Sequence, residues 1–289
     1  MRIDEMRNPV FRNLLTVSVI VLCLLLWQKS ANAGGIPVGV YGTWGTAKNE
    51  IFQVAKDNNF GVVVSNDIQK TANMKMQCLY PFWLTKEIAQ DDVAWKAFVA
   101  NVKTVVSSNV NNPAVLGWYL ADEPDWHQVP VERFKELRTV IRAIDKNKPL
   151  FTVLTMPDKW YRYLPYFDII GIDPYIDTTS TYAGRETDKV QDWIKKVKEN
   201  FAKLKMNKPI YVVLGAFDLR PKGIVTSAFR KPTAAEFNKM VSICLNQKVA
   251  GILVFSLYIA ETSDYYAWKL PTDDPVLWNA VRSLPGLVK

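Results

Sequence analysis

Eight short apolar runs, rich in β-branched and aromatic residues, recur along the chain at 36–41, 61–65, 76–80, 115–120, 150–155, 168–172, 209–214 and 251–257. Most are continuous rather than alternating, the pattern of strands buried on both faces. Between them the apolar residues adopt a helical spacing. Trp95, Phe98, Val99, Val102 and Val106 form one stripe, and Phe134, Leu137, Val140, Ile141 and Ile144 a second. Val190, Ile194, Val197, Phe201 and Leu204 form a third. Thr233 followed by Glu236 reads as a capping box that opens a helix with Phe237, Met240, Val241 and Cys244 inward. Pro130 suits the first turn of another. The connections after the second and fifth runs are short, which predicts truncated helices there.

Strand and helix therefore alternate eight times, the count and order of a (β/α)8 TIM barrel. A doubly wound open sheet is the competing architecture. It would normally carry a Gly-rich phosphate turn after an early strand, and Gly39-Val40-Tyr41-Gly42 does not supply one.

The N-terminus reads differently. Arg2, Arg7 and Arg12 precede an apolar stretch from Leu14 to Trp27, and Ala31-Asn32-Ala33 follows. This is the layout of a secretory signal peptide over residues 1–33, with the barrel domain over 34–289. The apolar stretch is shorter than the roughly 20 residues that span a bilayer; an uncleaved anchor is the alternative. No other segment is long and apolar enough to span a membrane, so a secreted or periplasmic protein with no membrane attachment after cleavage is expected.

Charge and cysteines narrow the chemistry. The net charge of +8 falls to +6 without residues 1–33, which carry four basic and two acidic residues. A modest positive charge favours anionic glycans or membrane surfaces, but Lys195, Lys196 and Lys198 sit on a predicted helix face and read as solvated. Nucleic acid is not an expected partner, since no binding motif accompanies the export signal. Cys78 and Cys244 read as buried thiols, with a disulfide as the alternative. With His127 the only histidine, no zinc site is expected, and no cofactor. An oxygen-ligand calcium site stays open.

In a barrel of this kind the site is built from the C-terminal ends of the strands. Those ends supply Tyr41 and Trp44; Asn66 and Asp67; Tyr80, Phe82 and Trp83; Asp122, Glu123 and Trp126; Thr155; Asp173 and Tyr175; Phe217 and Asp218; Ser256, Tyr258 and Glu261. Acids and rings dominate, and no Ser-His-Asp arrangement or thiolate candidate is present. Glycoside hydrolysis needs this equipment: a carboxylic acid to protonate the leaving oxygen, a second group as nucleophile or base, and rings to stack on sugars. Singly, each feature has a plainer reading. Asp173-Pro174 also suits a turn, Ala121-Asp122-Glu123-Pro124 a capped turn or calcium loop, and most tryptophans are core. Tyr41, Trp83, Trp126, Tyr175 and Tyr258 are the candidate substrate-binding rings, with core packing as the alternative. His127 reads as a rim residue rather than a base.

The segment Val115-Leu-Gly-Trp-Tyr-Leu-Ala-Asp-Glu-Pro124 resembles the fourth strand of clan-A-type TIM-barrel glycoside hydrolases, where Asn-Glu-Pro or Asp-Glu-Pro ends the strand and the Glu is the acid/base. Asp168-Ile-Ile-Gly-Ile-Asp-Pro-Tyr175 is similar to their sixth strand, and Val249-Ala-Gly-Ile-Leu-Val-Phe-Ser256 to their eighth. The resemblance implies Glu123 as general acid. It departs at the seventh strand, Lys208-Pro-Ile-Tyr-Val-Val-Leu-Gly-Ala-Phe-Asp218, where retaining members carry a nucleophilic Glu and this chain has none.

Three mechanisms follow. In an inverting one, Asp173 or Asp218 is the base, with carboxyls roughly 6.5–9.5 Å apart. In a substrate-assisted one the sugar's 2-acetamido group is the nucleophile and Asp122 orients it, a local resemblance to substrate-assisted hexosaminidases. In a retaining one Asp218 is the nucleophile. The expected function is an exported glycoside hydrolase acting on a polysaccharide or oligosaccharide. The alternatives are a catalytically inactive carbohydrate-binding barrel and a sugar-processing lyase or transferase.

Overall fold

The computed structural model describes residues 36–42, 48–177, 182–222, 229–263 and 265–288. The segment read as an export signal and Trp44 lie outside them. Eight parallel strands close into a barrel: β1 (Val38–Val40), β2 (Val62–Val64), β3 (Gln77–Pro81), β4 (Val115–Asp122), β5 (Leu150–Leu154), β6 (Ile169–Ile172), β7 (Ile210–Gly215) and β8 (Gly251–Phe255). Each pairs with the next, and β8 closes on β1 through Gly39 opposite Leu253. The expected (β/α)8 barrel is thus present. Four strands are a residue or two shorter than the apolar runs and β1 is three shorter, while β4 reaches beyond its run to Asp122.

The surrounding helices are α1 (Lys48–Asp57), α2 (Ile68–Asn73), α3 (Lys86–Gln90), α4 (Asp92–Asn109), α5 (Val131–Ile144), α6 (Trp160–Tyr163), α7 (Asp188–Lys203), α8 (Ala234–Asn246), α9 (Leu270–Asp273) and α10 (Pro275–Leu287). The helices after β2 and β5 are short, of 6 and 4 residues. The capping box forms: Thr233 accepts from Glu236 N–H, and the Glu236 carboxylate from Thr233 N–H. Pro130 stands one position earlier than expected, at the N-cap of α5, where its missing N–H also costs nothing. The apolar stripes face the sheet, with Trp95, Phe98, Val102 and Val106 buried on α4 and Phe134, Leu137 and Ile141 on α5.

The barrel interior is filled by side chains, including Tyr41, Val62, Leu79, Tyr119, Phe151, Val153, Tyr211, Val213 and Leu253. Each fully buried large side chain contributes roughly 1.5–3 kcal/mol. Two glycines make room for the rings. A Cβ on Gly171 would lie 2.8 Å from the Phe151 ring, and one on Gly251 2.5 Å from the Tyr211 ring. Trp118 faces the opposite way, into the helix layer, with Tyr80 and Phe82 packed on it. Three candidates read from strand ends thereby part from the barrel mouth: Tyr80 and Phe82 line the helix layer, and Asp67 caps α2 by accepting from Lys70 N–H.

The N-terminal end of the barrel is a set of satisfied polar groups. Asp168, just before β6, accepts from Arg138 at 2.8 Å, from Arg142, and from Leu150 N–H at 2.9 Å. Asp145 accepts from the Trp118 indole at 2.9 Å and from two backbone N–H groups. Lys208 donates to the carbonyls of Leu164 and Phe167. Cys78 and Cys244 are buried free thiols, pushed up to about 12 by burial. Among the described residues no helix is long and apolar enough to cross a membrane.

Candidate active site

A strand alternates its side chains between two faces, so Tyr119 and Asp122, three positions apart on β4, should face opposite ways. They do not. Opposite β5 the register of β4 shifts between Tyr119 and Ala121, so Tyr119 pairs with Phe151 while Ala121 pairs with Thr152. The extra residue is a bulge, a device that re-aims side chains beside active sites. It returns Asp122 to the interior side, where its Oδ1 accepts from the Tyr119 and Tyr41 hydroxyls, each at 2.5 Å. The two hydroxyls are themselves 2.5 Å apart. Burial raises the Asp122 carboxyl above its ordinary value, and the two phenol donors oppose that shift. Tyr41 and Tyr119 are raised well above the ordinary phenol value, first by burial and then by the Asp122 charge.

Glu123 follows with φ 41°, in the left-handed region. Pro124 disfavours the right-handed helical conformation for the residue before it. The Glu123 carbonyl then accepts from the N–H groups of Trp126 and His127, closing a tight turn. Non-glycine residues held in this region cluster at functional sites. Asp125 braces the turn from beneath. It is fully buried and accepts from the backbone N–H groups of Thr155 and Met156 beyond β5.

Asp173, at the end of β6, is 3% exposed, and its side chain is hydrogen-bonded to the Glu123 carboxyl. Among the described residues no N–H or hydroxyl donor reaches its buried Oδ1. Two carboxyls in contact without a cation share a proton, because both cannot ionise at that distance. The Asp173 carboxyl is raised well above the ordinary range by burial, by the bond to Glu123, and by the charges of Glu123, Asp122 and Asp125. Asp173, the deeper of the two, is the carboxyl that its surroundings push toward the protonated form.

Across from these acids stand rings. Tyr175 packs on Phe217 at 5.1 Å and on Phe255 at 5.8 Å, and Phe229 closes against Tyr175 and Phe217 at 6.0 and 6.2 Å. The Tyr175 hydroxyl is raised by burial and then by the charges of Asp173, Asp122 and Glu123. Trp83 lies at 5.6 Å from Tyr119 on the other flank, also with a left-handed backbone, φ 54°. A cleft of about 320 Å³ runs beside Asp122, lined by Trp83, Leu84, Thr85, Lys86, Glu87 and His127.

The β4 and β6 acids, Tyr41, Trp83 and Tyr175 are thus gathered at one mouth. Trp126, 57% exposed, stands on the turn beside them. Asp218 is three residues past the end of β7, after buried Ala216 and Phe217. Tyr258 pairs with Lys269 in a two-stranded ribbon and lines a separate cleft with Glu50, Ile51 and Val54. Glu261 pairs with Lys222. Tyr119 and Asp125 had no counterpart in the sequence reading. Only the bulge brings the Tyr119 hydroxyl to Asp122.

Residues 47–219, more than half of the chain, match the family described as glycosyl hydrolases family 2, TIM barrel domain. The chain belongs to this family. No curated protein matches it. Solved structures that share its fold include a beta-glucuronidase from an uncultured Clostridium species, at 13% identity and TM-score 0.61, covering 88% of this chain and 50% of that one. A GH2 beta-galacturonidase from Eisenbergiella tayi, bound to galacturonate, aligns at 10% identity and TM-score 0.62 over 88% and 51% of the two chains. A beta-galactosidase from Bacillus circulans sp. alkalophilus aligns at 8% identity and TM-score 0.65 over 88% and 56%. The chain spans about half the length of these proteins.

Proposed function

We propose that this family 2 barrel is an exported glycoside hydrolase of a polysaccharide or oligosaccharide, with Glu123 as general acid and a substrate-assisted mechanism. The observation that carries the reading is the Glu123–Asp173 carboxyl pair at the barrel mouth. One proton held between two carboxyls is a supply for the leaving glycosidic oxygen. Passing from Asp173 to Glu123 and on to that oxygen, it leaves two negative charges facing the cation-like sugar, which stabilises the transition state. Water then returns the proton through Glu123 acting as base.

The second group follows from geometry and from the rings. The side-chain hydrogen bond between Asp173 and Glu123 argues against the wide separation of an inverting pair, roughly 6.5–9.5 Å. Where clan-A-type retaining enzymes carry a seventh-strand Glu, this chain has Gly215, Ala216 and Phe217, and the ring cluster occupies that side. A nucleophile supplied by the substrate fits what remains, with Asp122 beside Glu123 to orient it. Tyr175, Trp83 and Trp126 offer stacking faces.

The test is reducing-sugar release from a glycan panel that includes N-acetylated and uronic polymers, with product anomers followed by proton NMR. Release from N-acetylated glycans with retained configuration supports the reading. Inverted product, or release confined to glycans without the acetamido group, overturns the mechanism. Binding without release from any glycan favours the non-catalytic barrel.

A further inference from the structure

Lys189, in the first turn of α7, is buried, a setting lysine rarely adopts unless a carboxylate pairs with it. Among the described residues it has no ion-pair partner. Its Nζ donates instead to the Tyr175 carbonyl at 3.0 Å, and the Trp193 ring centroid lies 4.8 Å away. Trp193 in turn packs edge-on against fully buried Trp160 at 5.4 Å. A neutral side chain of similar length would fill this space without the cost of a buried charge. The bond to Tyr175 brings that charge to the site. Tyr175 N–H donates to the Asp173 carbonyl at 2.7 Å, closing a tight turn over Pro174. The turn carries Asp173, bonded to Glu123, and the Tyr175 ring, packed on Phe217 and Phe255. Burial pushes the Lys189 ammonium down, and the charges of Asp177 and then Asp173 oppose that push. The charges that weigh most on Asp173, those of Glu123, Asp122 and Asp125, are all negative.

We propose that Lys189 is a positioning residue of the acid pair, an ammonium fixed on the Tyr175 carbonyl whose charge steadies Asp173 and Glu123 when both become carboxylates. This rests on the reading of Glu123 as general acid. When the proton passes from Asp173 through Glu123 to the leaving oxygen, two negative charges remain beside Asp122 and Asp125. A cation already in place stabilises that state with no reorganisation at the moment of reaction. Because a backbone carbonyl holds it, no carboxylate has neutralised its charge beforehand. Its distance from direct contact matters as well. A cation touching Asp173 would strip the proton from the resting pair. One held on the neighbouring turn leaves that proton in place and favours its departure modestly.

The test uses Lys189→Met, Lys189→Gln and Lys189→Arg, with melting temperatures to check folding. Methionine removes the charge and the donor, glutamine removes the charge and keeps a neutral N–H, and arginine keeps the charge. If the methionine variant does not fold, the glutamine variant carries the measurement. The first arm needs no substrate. It follows by infrared spectroscopy the protonated carboxyl band that Asp173→Asn removes, as a function of pH. In the neutral variants the band should persist to higher pH by roughly half a unit, less than the roughly 1–3 units of a contact ion pair. Lys189→Arg should stay near wild type. The second arm measures chitotriose hydrolysis. In the neutral variants kcat should fall about tenfold, short of the roughly 100-fold or more of a donor touching the transition state, with KM changing less and Lys189→Arg restoring most of the rate. A band that stays in place or moves to lower pH in a folded neutral variant would overturn the proposal. So would an equal shift in Lys189→Arg, which would assign the effect to packing, or an unchanged kcat in an active neutral variant. A wild type that leaves chitotriose intact overturns the substrate-assisted reading instead, and the infrared arm then decides the role of Lys189 by itself.

Discussion

Asp168 and Asp173 flank the same strand, one just before β6 and one just after it, and they have opposite surroundings. Asp168 is partly exposed at the N-terminal end of the barrel. Burial alone would raise it, but Leu150 N–H and the guanidinium groups of Arg138 and Arg142 hold its carboxyl below the ordinary range. Asp173 is buried at the C-terminal end, faces Glu123, Asp122 and Asp125, and is raised well above that range. At one end the carboxylate has its cations and an N–H donor. At the other, carboxyls are packed against carboxyls and rings. A barrel keeps its stability at the first end and its chemistry at the second, and perturbed acids mark the place where proton transfer is possible.

Four substitutions sharpen this contrast. Glu123→Gln is expected to lower kcat by about 10³-fold or more, the scale of a lost general acid, while leaving the melting temperature and ligand binding in place. Asp168→Ala does the reverse. Two guanidinium groups lose their shared partner, and we expect a loss of about 3 kcal/mol in chemical denaturation, with turnover per folded molecule unchanged. The folded value of Asp168 is depressed, so its stabilising effect is present above the unfolded carboxylate value of about 3.9 and fades as pH falls through the folded value. The wild-type advantage over Asp168→Ala should therefore shrink in acid.

Asp173→Asn has the opposite pH signature. Its folded value is raised, so its stabilising contribution is complete below about pH 3.9 and is lost as pH rises through the folded value. The variant keeps an N–H donor for Glu123 and cannot ionise. It is expected to gain about 1 kcal/mol over wild type near neutral pH, within the range of stability–function trade-offs, while activity falls. Denaturation curves at pH 5 and pH 8 check the sign. The smallest effect is expected at Trp126→Ala on the exposed turn: a weaker affinity by about 1 kcal/mol, read by titration with an oligosaccharide, with no change in stability.

The barrel was legible because its signal is repeated. Eight buried runs and three helical stripes each point to the same alternation, and the capping box at Thr233 marks a helix start by chemistry that needs no tertiary context. The site was legible only in part. Adjacent carboxylates before Pro124 announce a strand end in an acidic mouth, and Asp173-Pro174 repeats the announcement on β6. The pairing of Glu123 with Asp173 was not readable, because strand-end residues from β4 and β6 meet only when the barrel closes. Period-two reasoning would have put Tyr119 and Asp122 on opposite faces, since a one-residue bulge leaves no local mark in composition. Tyr258 shows a different limit: the chain leaves β8 into a ribbon with Lys269, and Tyr258 lines a cleft other than the one beside Asp122, which its place soon after a strand end does not reveal.

The proposed acid catalysis needs a proton held by Asp173 and Glu123, and carboxyl infrared spectroscopy reads it directly. Difference spectra of wild type against Asp173→Asn at neutral pH should show a protonated carboxyl band that the variant lacks, while wild type against Asp168→Asn should show only a carboxylate. If wild type has no protonated carboxyl at neutral pH, or the band disappears with Asp168 instead, the two ends of β6 do not differ in the way described.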